Sequence, residues 1–130
     1  MINALNVALY SVLGGTATAA GTAVYYLAAP DEQPYPFVVW DYVSDMDDNA
    51  CANRSKNEVV FIRAYASTPG AASAIDEQID ALLHLNTLSV SGYANFWMAR
   101  ELGYSLEETD QSGRRSYMAG AEYRIKLDAI

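Results

Sequence analysis

His84 is the chain's single histidine and Cys51 its single cysteine, so Ser–His–Asp or Cys–His catalysis would have to be built on these side chains. His84 falls near the C-terminus of an expected helix, where an imidazole commonly meets the last carbonyls or the helix dipole. A structural role is the simpler reading. Cys51 lies in a polar stretch with Arg54 and Lys56 nearby, a setting that can favour a thiolate. No second cysteine exists to resolve an oxidised form, and a plain loop cysteine is the default. One Cys and one His cannot make a Cys/His zinc site or an intrachain disulfide, which fits a reducing compartment.

The remaining motifs also lead away from catalysis. Asp45-x-Asp47-Asp48-Asn49 opens like a calcium loop, but the sixth and twelfth positions, which need Gly and Glu, are Ala50 and Lys56. A solvated acidic loop is the default. Gly14-Gly15-Thr16 lacks the spacing and lysine of a P-loop, and Gly-x-Gly-x-x-Gly is absent. Asp76/Asp80 and Glu107/Glu108 read as solvated faces rather than acid/base pairs. No catalytic, metal or cofactor-binding constellation is expected.

The elements that must position these residues are those of one α+β domain over 1–130. The chain has 130 residues, 52% of them hydrophobic and 18% charged, enough to form a core without disulfides or metal. Ile2–Leu13 is an expected amphipathic helix, with Leu5, Leu9, Val12 and Leu13 at helical spacing, stopped by Gly14-Gly15. Its apolar run is too short for a membrane span, and the start lacks the basic flank of a signal peptide. Thr16–Gly21 reads as a loop, Val24–Leu27 as a short strand and Ala29–Pro34 as a connector. Tyr35–Val43 is the strongest strand signal, apolar on both faces and therefore expected to be central or covered by another subunit. Ser44–Asn57 reads as a long polar connection and Glu58–Ser67 as a strand. Ser67-Thr68-Pro69-Gly70 caps a helix over Ala71–His84, with Ala72, Ile75, Ile79, Leu82 and Leu83 buried and Asp76, Glu77 and Asp80 wet. Ser89–Tyr104 and Arg114–Leu127 are the last strands, joined by an acidic loop Ser105–Gly113. On the final strand Ala121, Tyr123, Ile125 and Leu127 face one way, Glu122, Arg124, Lys126 and Asp128 the other. The order gives a mostly antiparallel sheet of four to five strands with two helices packed on one face.

Charge and aromatic content point to assembly. The net charge is −8, from sixteen acidic and eight basic residues, the reverse of a nucleic-acid binder, although an acidic wall could line a channel through which DNA slides. Ten tyrosines and two tryptophans are too many for one small core, and aromatics are enriched at protein interfaces. Closed rings need two different complementary patches on each copy. The candidates are the acidic loop at Glu107, Glu108 and Asp110 against Arg54, Lys56, Arg114 or Arg115, with Asp45, Asp47 and Asp48 as further interface residues.

Taken in order, these features resemble the tail-completion, or tail-to-head joining, family of long-tailed phages over Leu5–Leu127. The resemblance runs through the helix Leu5–Leu13, Val24-Tyr25-Tyr26, Ala29-Pro30 and above all Tyr35-Pro36-Phe37-Val38-Val39-Trp40. Ala64-Tyr65, Ala74-Ile75-Asp76-Glu77-Gln78-Ile79 and the strand Tyr117–Lys126 complete it. It implies a structural, non-enzymatic virion protein of the tail and neck, assembled in the host cytoplasm. It also implies a hexameric ring that caps the tail tube, ends its polymerisation and docks on the head connector, with DNA passing the lumen unbound. Within the class the resemblance implies, the alternative is another neck component (a head-completion or stopper protein); alternatives of other classes are a small α+β enzyme or ligand-binding domain and a bacterial regulatory partner protein.

Overall fold

The computed structural model describes residues 2–15, 18–30, 33–48, 55–109 and 113–129. Helix α1 (Ile2–Leu13) is followed by β1 (Val24–Tyr26), β2 (Phe37–Asp48) and β3 (Ser55–Ala66). Helix α2 (Pro69–Leu83), β4 (Tyr93–Thr109) and β5 (Arg115–Ala129) complete the chain. The strands form one five-stranded sheet in the order β1-β2-β3-β5-β4. All pairs are antiparallel except β1 and β2, which run parallel. A parallel neighbour requires the chain to cross back along the strand, which the connector between Tyr26 and Phe37 does.

Both helices pack on one face of the sheet, as the sequence pattern requires. Leu5, Leu9 and Leu13 of α1 and Ile75, Ile79 and Leu83 of α2 join Trp40, Val60, Ile62, Tyr123, Ile125 and Leu127 in one core cluster. Each such side chain, fully buried, stabilises the fold by about 1.5–3 kcal/mol relative to exposure. The alternation of β5 appears as expected: Ala121, Tyr123, Ile125 and Leu127 are buried while Glu122, Arg124, Lys126 and Asp128 are only half-buried. Asn6 locks α1 to the sheet, its Oδ1 accepting from Trp40 Nε1–H at 3.0 Å and from Tyr42 O–H at 2.7 Å.

Thr68 caps α2, its Oγ1 accepting the Ala71 N–H at 3.2 Å with Pro69 in the first turn. At Gly120 of β5 the neighbouring strand β3 leaves no room for a side chain. A Cβ there would lie 2.5 Å from the Ile62 carbonyl oxygen and 2.9 Å from Arg63 Cα.

The two expected loops are largely strand. Residues Ser44–Asp48 continue β2 and Ser55–Asn57 begin β3, with Asp45 opposite Glu58 and Asp47 opposite Lys56 in backbone register. Likewise Ser105–Thr109 continue β4, paired with Arg115–Ala119 of β5. Polar residues are poor strand formers alone; here the neighbouring strand supplies the backbone hydrogen bonds that hold them extended. The apolar strand β2 is not central either. It is second from the edge, and only its Val38–Trp40 segment is flanked by β1.

Candidate functional site

The charged residues singled out from the sequence divide between the two ends of the sheet. Asp45, Asp47 and Asp48 on β2 and Lys56 on β3 sit at the end where the β2–β3 hairpin turns. Glu107 and Glu108 on β4, with Arg114 and Arg115 at the start of β5, sit at the opposite end. With β3 between them, the two sets are separated by about 36 Å at the usual strand rise. Arg54, Asp110 and Cys51 lie outside the described residues. Lys56 is not on a loop but on a strand, and is buried; Glu58, two residues on, is also buried.

At the β4–β5 end, part of the charge is neutralised within the chain. Arg115 Nε lies 3.4 Å from Glu107 Oε1, an exposed pair of a kind worth at most about 1 kcal/mol. The Arg114 guanidinium lies over the Tyr35 ring, 5.2 Å from its centroid. Tyr35 stacks on Phe37 at 5.4 Å and Phe37 on Tyr65 at 5.1 Å. An aromatic ladder thus backs the arginine on the sheet face that carries no helix. Burial raises the Tyr65 phenol above its ordinary pKa, Arg63 opposing and Glu108 assisting. A rigid aromatic stack topped by arginine is the composition that dominates protein–protein contact energies.

The rest of that helix-free face alternates paired charges with apolar groups. Arg63 pairs with Asp41 at 3.3 Å, Arg124 with Glu101, and the Tyr104 O–H donates to Glu122 at 2.5 Å. This last hydrogen bond raises the Tyr104 pKa. Leu102 and Leu106, about half exposed, flank Tyr104 on β4. The expected boundary at Tyr104 hid Leu106, and Leu102 was not singled out within the expected strand. The signal was the alternation Leu102, Tyr104, Leu106, obscured by Ser105 and Glu107.

The helix-covered face contains a further polar cluster. Arg100 donates to both Asp76 carboxylate oxygens, at 3.1 and 2.9 Å, and to the Tyr123 hydroxyl at 3.4 Å. The Asp76 hydrogen bonds raise the arginine pKa still further. Asp76 is therefore a mostly buried anchor rather than part of a wet face, which corrects the periodicity reading: Arg100 arrives from β4, 24 residues away, beyond the reach of any local pattern. His84 caps α2, and its Nδ1 accepts the Arg100 backbone N–H at 3.1 Å, so the ring is engaged structurally. Among the described residues no three His, Cys, Asp or Glu side chains are grouped to hold a metal ion.

Nine of the twelve tyrosines and tryptophans fall into three groups. Trp40 and Tyr123 are buried, Tyr26, Tyr42 and Tyr93 pack against the core, and Tyr35, Tyr65, Tyr104 and Trp97 lie on or beside the helix-free face.

A chain from the structure titled "Virion of native gene transfer agent (GTA) particle" superposes with a TM-score of 0.77 over 98% of this chain and 97% of that one, at 17% identity. That likeness shows a shared fold. No curated protein sequence matches the chain. The family model described as "Tail completion protein gp17" matches residues 3–129. The chain therefore belongs to the gp17 tail-completion family, and it is a structural protein of the phage virion tail.

Proposed function

We infer that this protein forms a ring at the head-proximal end of the tail tube, ends tail polymerisation there, and joins the tail to the head connector. The family match over nearly the whole chain carries this reading. The placement of the charged groups supports it. Two chemically different ends, about 36 Å apart along the strands, suit a protein held between two different partners. The ring is proposed to be hexameric. Its Asp45–Asp47–Asp48 end and its Glu107–Glu108–Arg114–Arg115 end are proposed to face the tube protein and the connector. No chemical step is required by this role.

The test is assembly without the protein. Particles lacking it should yield tubes of uncontrolled length and filled heads without tails. Tubes of normal length would overturn the terminator role, and normal head–tail joining would overturn the joining role. Reversing charge at Arg114 and Arg115 together should leave the protein folded, since both are exposed, while weakening attachment to tube or connector in a pull-down. Unchanged attachment to both would remove these residues from the interface.

A further inference from the structure

Among the described residues, eight large apolar side chains are exposed, and they fall on two sides of the molecule. Val7 and Tyr10 on α1, Leu27 after β1 and Val43 on β2 border one edge of the sheet. Leu85 after α2, with Trp97, Leu102 and Leu106 on β4, borders the other. The sheet order places β3 and β5 between these sides, and neither strand carries such a residue. An isolated exposed leucine needs no explanation; two separate clusters on opposite flanks do.

Three further features belong to these flanks. Helix α1 has no charged residue in its 12 positions, although Val7 is 70% and Tyr10 45% exposed. A helix facing water normally carries charge on its outer face. Leu27 and Leu85 both adopt left-handed backbone, φ 71° and 58°, a conformation costing about 1–2 kcal/mol for a residue with a Cβ. Leu27 N–H donates to the Trp40 carbonyl at 2.8 Å and Leu85 N–H to the Met98 carbonyl at 2.7 Å, which ties each backbone to its flank while the side chain stays exposed. Finally, the two edges run in opposite directions. From β2 through β3 and β5 to β4 the pairing is antiparallel at every step, so β4 opposes β2. Rotation about an axis along the strands preserves direction, so β4 of one copy would meet β2 of the next antiparallel.

We propose that the partner of each flank is a second copy of this chain: the β4 flank of one copy covers the α1–β2 flank of the next. The contact is heterologous, which is the kind that closes rings. On a chain of net charge −8, an uncharged helix is where like copies can approach with least repulsion. This assignment rests on the ring reading and specifies its contact. It leaves the charged strand ends pointing along the ring axis.

The test uses two full-length variants, Val7→Glu with Tyr10→Ser on one flank and Leu102→Glu with Leu106→Ser on the other. Mass is measured by ultracentrifugation and native mass spectrometry, with and without tail tubes. The wild-type chain should give rings and each variant alone monomers. An equimolar mixture should give dimers and nothing larger, because one intact flank of each kind remains to be joined. Recovery of dimers on mixing also shows that both variants are folded. If either variant fails to fold, the milder pair Val7→Ser and Leu106→Ser is read by loss of the ring species. Rings persisting in both variants, or dimers from either variant alone, would overturn the flank assignment and leave the ring reading standing. A wild-type chain that stays monomeric on tubes would overturn both.

Discussion

Arg100 ties α2 to β4 and β5, because one guanidinium reaches two oxygens of Asp76 and the hydroxyl of Tyr123. Replacing Arg100 with leucine should cost about 1–3 kcal/mol, the range for a hydrogen bond to a charged group with a stranded partner. Denaturant unfolding of the variant checks this, and an unchanged midpoint would mean that helix packing alone holds α2. Tyr123 gives a pH dependence. Burial raises its phenol well above the ordinary value, Arg100 counteracting and Asp80 and Asp76 adding to the rise. The folded chain then keeps a proton that the unfolded chain releases. Stability is complete below about pH 10 and declines as pH rises past it, by up to about 1.4 kcal/mol per pH unit for each such tyrosine. Tyr123→Phe should make that alkaline decline shallower in urea midpoints measured across a pH series. An equal slope in both proteins would assign the loss to other groups. Neither contact was visible in the sequence, since Arg100 stands beside Glu101 there and yet pairs across the fold with Asp76.

The elements with both a period and a boundary signal were legible. Helix α2 follows from Thr68, Pro69 and the stripe Ala72, Ile75, Ile79, Leu83, and β5 follows from strict alternation through Leu127. What sequence reasoning missed was length. Asp45–Asp48 and Ser105–Thr109 lack strand propensity, and only their partners Ser55–Glu58 and Arg115–Ala119 hold them extended. The parallel course of β1 was hidden for a similar reason, because a three-residue strand has no direction until its neighbour is known. At the centre of the sheet, Gly120→Val would drive a side chain into the Ile62 carbonyl and Arg63 Cα. Separating β3 from β5 should cost about 1–3 kcal/mol, as overpacking usually does, and thermal unfolding should show it. A variant as stable as the parent would mean that the strand pair can slide apart cheaply.

For the whole molecule, the broad identity was legible because order and composition survive divergence, whereas the surroundings of single surface residues were not. Of the residues proposed from charge, Arg115 already pairs with Glu107 and Lys56 is buried, while Leu85, Leu102 and Leu106 went unnoticed. A flank is a property of strand order, which composition does not contain. The same pairings bear on DNA. At least four of the eight basic residues, Arg63, Arg100, Arg115 and Arg124, are committed to carboxylates in the chain itself. Duplex DNA should show no measurable binding near physiological salt, where non-specific binders reach dissociation constants of about 10⁻⁴–10⁻⁶ M. Micromolar, salt-sensitive retention in a filter or anisotropy assay would contradict a lumen that lets DNA slide.

The two tryptophans make the chain its own optical reporter. Trp40 is sealed beneath α1, its indole N–H spent on Asn6, whereas Trp97 on β4 is 40% exposed. A Trp97→Phe variant emits from the core alone and a Trp40→Phe variant from the flank alone. If neighbouring copies cover β4, assembly should shift the Trp97 emission to the blue and shield it from acrylamide, with the Trp40 signal indifferent. Quenching of Trp97 that is the same in free chain and ring would show that β4 stays wet after assembly.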